Sequence, residues 1–155
     1  MINFEHTLLL GHRGARGEAL ENTLIGFEHA QRLKAYGLTG VEFDVQLSAD
    51  GHLVVFHDDD LARMCGEQSR LDQLSVAEIQ RHRQLDHQIA TLASIAPVLS
   101  GFTYIELEIK THGRTDYGKL IRALSQDLVD SPLANLPIVL TSFDVELHAR
   151  LQRSK

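Results

Sequence analysis

Two stretches of this chain alternate apolar and ionisable residues one for one, a pattern that admits little besides β-strand. The first is Val41-Glu42-Phe43-Asp44-Val45 and the second Tyr104-Ile105-Glu106-Leu107-Glu108-Ile109-Lys110. Successive strand side chains point to opposite faces, so Glu42 and Asp44 share a face, as do Glu106, Glu108 and Lys110. The intervening Val, Phe, Leu and Ile call for a core on the reverse side. Carboxylates beside each other in a sheet repel unless a cation or a proton relieves them. That cost points to a metal site. Glu42-x-Asp44 offers hard oxygen ligands that suit Mg²⁺ or Ca²⁺; the competing reading is a solvated strand face. In Glu106-x-Glu108-x-Lys110 the lysine can pair with one glutamate and leave the other for a metal or a proton. Two such strands in one chain shift the balance toward a site, with no role assigned to Glu106.

A third apolar run, Leu8-Leu9-Leu10, leads into Gly11-His12-Arg13-Gly14. Histidine titrates near neutrality and serves as a general acid or base. An arginine fork binds phosphate oxygens two at a time. As a glycine loop the segment matches neither the P-loop nor the dinucleotide fingerprint. A second histidine, His57, closes the run His52–His57 and is followed by Asp58. His112 follows Lys110 at the same rim and is the remaining histidine of interest.

The order of elements reads strand (Thr7–Leu10), helix (Asn22–Tyr36, stopped at Gly37), strand (Gly40–Gln46), strand (His52–His57). Helices follow at Val76–Leu85, after the capping box Ser75-Val76-Ala77-Glu78, and at Leu92–Leu99. Strand Tyr104–Lys110, helix Tyr117–Val129, strand Pro137–Ser142 and a last helix capped by Asp144 and reaching Gln152 complete the chain. Too few residues separate the second and third strands, around Asp50-Gly51, for a crossover helix. Either they form a hairpin with His57 opposite Asp44, or a parallel strand ends with His57 at the same rim. Alternating strands and helices argue a mostly parallel α/β fold.

At 155 residues, 43% hydrophobic and 23% charged, the chain suffices for one domain with its own core. A net charge of −6 without a basic stripe excludes a nucleic-acid footprint. The apolar runs are too short to span a bilayer. Met1–Thr7 carries Glu5 and lacks a basic start followed by a long apolar core, so the expected location is the cytoplasm. The single cysteine, Cys65, fits a reducing compartment.

Taken in order, the motifs Gly11-His12-Arg13-Gly14, Glu21-Asn22-Thr23, Glu42-x-Asp44-Val45, Asp50-Gly51, Val54-Val55-x-His57-Asp58, Glu108-Ile109-Lys110 and Ser142-Phe143-Asp144 resemble the glycerophosphodiester phosphodiesterase family. The likeness runs from about Leu8 to Asp144. It implies a single domain over 1–155 of TIM-barrel type, incomplete, with about the first five strands and their helices, since a TIM barrel has eight strands and typically about 250 residues. It implies a divalent metal, Mg²⁺ or Ca²⁺, on Glu42, Asp44 and Glu108. His12 and His57 are implied as the acid–base pair, with Arg13 and Lys110 on the phosphate. The segment 61–90 resembles the family's insertion, which covers the substrate. The implied reaction is hydrolysis of small-molecule glycerophosphodiesters to glycerol 3-phosphate and an alcohol. Leu20 departs from the proline that the family usually carries before Glu-Asn-Thr. Open barrel edges on the first and fifth strands imply a tendency to self-associate. Two rival readings are an inactive truncated remnant, or one part of a multi-chain barrel. A third, a phospholipase D-like toxin acting on sphingomyelin, is disfavoured by the missing cysteine pair and the presence of the insertion.

Overall fold

The computed structural model describes residues 7–154. Its centre is a five-stranded sheet in which β1 (Leu10–His12), β2 (Gly40–Leu47), β6 (Tyr104–Ile109) and β7 (Ile138–Thr141) lie side by side in chain order, all parallel. The fifth member, β3 (Leu53–Val55), pairs antiparallel with the far end of β2, in the register Val45 to Val55 and Leu47 to Leu53. The parallel barrel wall among the described residues is therefore four strands wide. The third strand expected from the sequence is a hairpin return rather than another stave.

Helices cover one face of the wall. These are α1 (Leu24–Leu33), α4 (Leu92–Leu99), α5 (Tyr117–Val129) and α6 (Val145–Arg153). Between β3 and α4 lie two single-turn helices, α2 (Ala62–Cys65) and α3 (Val76–Ile79), and a small hairpin of β4 (Arg83–Gln84) and β5 (His87–Gln88).

The alternation in β2 and β6 sorts the two faces. Val41, Phe43, Val45, Ile105, Leu107 and Ile109 point to the helices and are essentially fully buried in the main core. Phe27 of α1 meets Phe43 edge to face, ring centroids 5.2 Å apart, an arrangement that aromatic quadrupoles favour. Glu42, Asp44, Gln46, Glu106, Glu108 and Lys110 occupy the other face, toward the barrel interior. A second, smaller core of Val54, Phe56, Leu61, Leu71, Ile79 and Ile89 lies under the segment after β3.

Element ends differ from expectation where a local interaction outbids periodicity. The first strand pairs over Leu10–His12 rather than Thr7–Leu10, because β2 begins at Gly40 and its first partner is Leu10. Leu8 and Leu9 are accordingly half exposed. Asn22 adopts a left-handed backbone (φ 55°), so α1 starts after Thr23, whose hydroxyl accepts from Gly26 N. The capping box Ser75/Glu78 is present, but α3 stops at Ile79. Past Ile79 no apolar residue recurs at helical spacing, and Leu85 (φ 53°) turns the β4–β5 hairpin. Asp144 caps α6 as expected, accepting from Glu146 N and Leu147 N. No helix among the described residues is long and apolar enough to cross a membrane.

Candidate active site

Parallel register brings the two acidic pairs level. Glu42 lies beside Glu106 and Asp44 beside Glu108, so Glu106 sits one layer deeper toward the strand starts. At the C-terminal rim, Glu42, Asp44 and Glu108 each bring one oxygen within 4.8 Å of the others. Three hard donors at that spacing suit a divalent cation. Burial, with the neighbouring Asp44 and Glu108 charges, pushes the Glu42 carboxyl up to about 7 against a single opposing hydrogen bond and the Arg13 charge. A cation would relieve that repulsion. Asn22 Oδ1, buried and without a hydrogen-bond partner, belongs to a side chain whose amide donates to Asp44 Oδ2 at 3.0 Å, so the acids also have a polar neighbour to spare.

The turn after β1 is built to reach this cluster. Arg13 (φ 51°) and Gly14 (φ 86°) both take left-handed backbones, a conformation costly for arginine and free for glycine. A Cβ at Gly11 would lie 1.9 Å from Gly14 O, so only glycine allows the turn to close on itself. Folded this way, Arg13 N donates to Glu42 Oε2 (3.0 Å) and the guanidinium turns inward. Its Nε lies 3.3 Å from Asp44 Oδ2 and its NH1 donates to Glu21 Oε1 at 2.9 Å. His12 stays half exposed with Nε2 3.7 Å from Glu42 Oε2. Partial burial and the positive charges of Arg13 and Arg16 lower the pKa of His12.

Lys110, just past β6, donates to Glu108 Oε1 at 2.5 Å and lies 3.1 Å from Asp44 Oδ1. Desolvation works against its charge, but the two carboxylates outweigh it and raise its pKa. Beside it opens a cleft lined by Glu108, Lys110, Thr111, Ser142, Phe143 and Asp144.

His57 joins by a longer route. The hairpin register puts Phe56, not His57, opposite Asp44: Phe56 N donates to Asp44 O at 3.1 Å. His57 follows in the loop, which buried Gln46 straddles by donating its amide to Phe56 O (3.0 Å) and Asp58 O (2.7 Å). His57 Nδ1 bonds Asp58 Oδ1 at 2.6 Å. Arg63 then ties Asp58 to Glu21, which also holds Arg13. Burial disfavours the Glu21 and Asp58 charges; hydrogen bonds from Arg63, with Arg13 and His57 respectively, prevail and lower both pKa values.

Sequence reading placed His12, Arg13, Glu42, Asp44, His57, Glu108 and Lys110 in one site; the fold brings six of them together and links His57 to them through Asp58, Arg63 and Glu21. It gave Gln46, Asn22, Glu21, Asp58 and Arg63 no role. Gln46 continues the 42–44 alternation on the same face, a signal available in the sequence; Arg63 carries none. His112 turns aside to Asp72, its Nε2 3.4 Å from Asp72 Oδ2, where Arg114 also pairs.

The model of the glycerophosphoryl diester phosphodiesterase family matches residues 12–151, nearly the whole described chain. The chain belongs to that family. Among its relatives in the family, the glycerophosphodiester phosphodiesterase of Caldanaerobacter subterraneus subsp. tengcongensis is 39% identical over 75 residues, covering 48% of this chain and 30% of its own. A solved phosphodiesterase from Oleispira antarctica, in complex with the product sn-glycerol-3-phosphate, superposes with a TM-score of 0.83 at 28% identity. The match covers 95% of this chain and 62% of that one. The glycerophosphodiester phosphodiesterase of Thermotoga maritima superposes with a TM-score of 0.74 at 32% identity, covering 94% and 57%. The fold is thus the family's TIM-barrel type, and this chain spans about 60% of the length of those structures.

Proposed function

We propose that this site hydrolyses glycerophosphodiesters to glycerol 3-phosphate and an alcohol. The observation that carries the reading is the convergence, at one rim of a parallel sheet, of three mutually close carboxylates with His12, Arg13 and Lys110. Active sites of barrel enzymes lie at that C-terminal face. Glu42, Asp44 and Glu108 would hold a divalent cation, Mg²⁺ or Ca²⁺. When bound, such an ion supplies Lewis-acid stabilisation of charge building on the phosphoryl oxygens.

The chain's own groups divide the remaining work. Lys110 has three N–H donors and directs two at Glu108 and Asp44, leaving one for a non-bridging phosphate oxygen. Arg13 adds a fixed positive charge from beneath, held by Glu21 and Asp44. One of His12 and His57 takes a proton from the attacking hydroxyl while the other protonates the departing alkoxide. The attacking group is the substrate's own glycerol hydroxyl or water. Segment 61–90 is the counterpart of the family insertion and would cover the substrate, and the domain extends over the whole chain. The outer edges of β1 and β7, the ends of the parallel wall, are where further strands or a second copy would pair. A cytoplasmic location is part of the same reading; the lone cysteine, Cys65, fits such a reducing compartment.

The test is release of glycerol 3-phosphate from glycerophosphocholine with Mg²⁺ or Ca²⁺ present and after chelation. Turnover that requires the cation and disappears in His12→Ala and Glu42→Ala is expected. A folded, cation-loaded protein without turnover refutes the activity for this chain.

A further inference from the structure

Arg63 lies on α2, outside the sheet, with its side chain 47% exposed, yet it grips two carboxylates at once. Its Nε and NH2 donate to Asp58 Oδ2 (2.6 Å) and Oδ1 (3.0 Å). Its NH1 and NH2 donate to Glu21 Oε2 (3.2 Å) and Oε1 (2.6 Å). Both contacts are two-pronged, the geometry that an arginine fork allows and a lysine ammonium does not. At the far ends, Asp58 Oδ1 holds His57 Nδ1 (2.6 Å) and Glu21 Oε1 accepts from Arg13 NH1 (2.9 Å). The result is one continuous line of ion pairs, Asp44–Arg13–Glu21–Arg63–Asp58, that ends in a hydrogen bond to His57.

We propose that Arg63 is a positioning residue that fixes the orientation and tautomer of His57 by clamping Asp58, and that it locks this histidine to phosphate-side Arg13 through Glu21. An ionised carboxylate can only accept, so a carboxylate held against Nδ1 keeps the ring proton there and presents a bare Nε2. Asp58 needs the clamp because it sits in a loop past the end of β3, where no ladder fixes its side chain. Gln46 holds the backbone on either side of His57 but touches neither the ring nor the Asp58 carboxylate. Arg63 supplies the missing constraint by occupying both Asp58 oxygens in one plane. A purely structural role predicts something else: loss of Arg63 would loosen α2 and leave the ring of His57 as it was.

The inference rests on the acid–base reading of His57, so the decisive readout is independent of turnover. Long-range ¹H–¹⁵N spectra of histidine-labelled protein report which ring nitrogen carries the proton, with His57 assigned by its absence in His57→Gln. The wild type is expected in the Nδ1–H form. Arg63→Ala and Arg63→Lys are expected to shift His57 toward the Nε2–H form that free histidine side chains prefer. Where turnover is measurable, kcat should fall roughly tenfold to a hundredfold, the range seen when a histidine's carboxylate partner is disturbed, with KM changed by less than about threefold. An unchanged Nδ1–H signal in a folded Arg63 variant overturns the proposal. Failure of both variants to fold also overturns it, in favour of a structural anchor. Absent turnover in the wild type refutes the hydrolase reading and leaves the tautomer result standing.

Discussion

Glu42→Gln removes a charge that the metal-free fold holds at a cost. The carboxyl is raised from an ordinary 4.5 to about 7, first by burial and then by Asp44 and Glu108. Its side chain is only 14% exposed, so solvent screens little of this. At about 1.4 kcal/mol per tenfold change in proton affinity, the ionised form costs roughly 3 kcal/mol of stability. The sign follows from the raised value. Below about pH 4.5 the group is protonated whether the chain is folded or unfolded, and the cost vanishes. It grows between there and pH 7 and is complete above 7. Glutamine is neutral throughout and keeps an oxygen to accept from Arg13 N, which bonds Glu42 Oε2 at 3.0 Å. In chelator at pH 8, Glu42→Gln should therefore be more stable than wild type by about 3 kcal/mol, or roughly 6–12 °C in Tm for a chain of this size. At pH 4.5 the two should coincide. Urea denaturation at both pH values measures this directly. Mg²⁺ or Ca²⁺ at about a thousand times Kd should then invert the order, because binding at that level adds close to 4.1 kcal/mol to whichever protein retains the site, more than the roughly 3 kcal/mol at stake. A variant no more stable than wild type at pH 8 without metal would refute the claim that these carboxylates repel one another.

Two further substitutions probe the scaffold. Phe43→Ala empties the space against Phe27 at the centre of the main core and should cost about 3–5 kcal/mol by denaturant titration, with the m-value unchanged. Gly11→Ala places a methyl 1.9 Å from Gly14 O; the turn carrying His12 and Arg13 must open, and soluble yield and Tm should fall together, whereas a wild-type melt would show that the turn has slack.

The site was legible in the sequence to the extent that strand periodicity controls it. Glu42, Asp44, Glu108 and Lys110 share a face because alternation leaves no other choice, and parallel register sets Asp44 beside Glu108. The motif order led to the correct family where spacing alone stopped at a cation. Three things were not legible. The pairing of β3 hung on one residue of register, which decides whether Phe56 or His57 faces Asp44. The helix after Ser75 was overestimated because a capping box specifies where a helix starts and carries nothing about where tertiary packing ends it. The ion-pair line through Arg63 joins residues 42 positions apart, and an exposed arginine on a one-turn helix has no local pattern to betray it.

The alternation in β3 has a consequence for how the molecule divides. Leu53 and Val55 contribute to the main core, while Val54 and Phe56 contribute to the second. One short strand is thus a party wall between two interiors, and the segment beyond it keeps its own hydrophobic support. Such a module can melt, lengthen or be rebuilt by mutation while the barrel wall keeps its packing intact. The acidic cluster belongs to the wall and His57 to the threshold of the module. Evolution acting on the module alone can reshape the surroundings of His57 without disturbing the acids that would hold an ion.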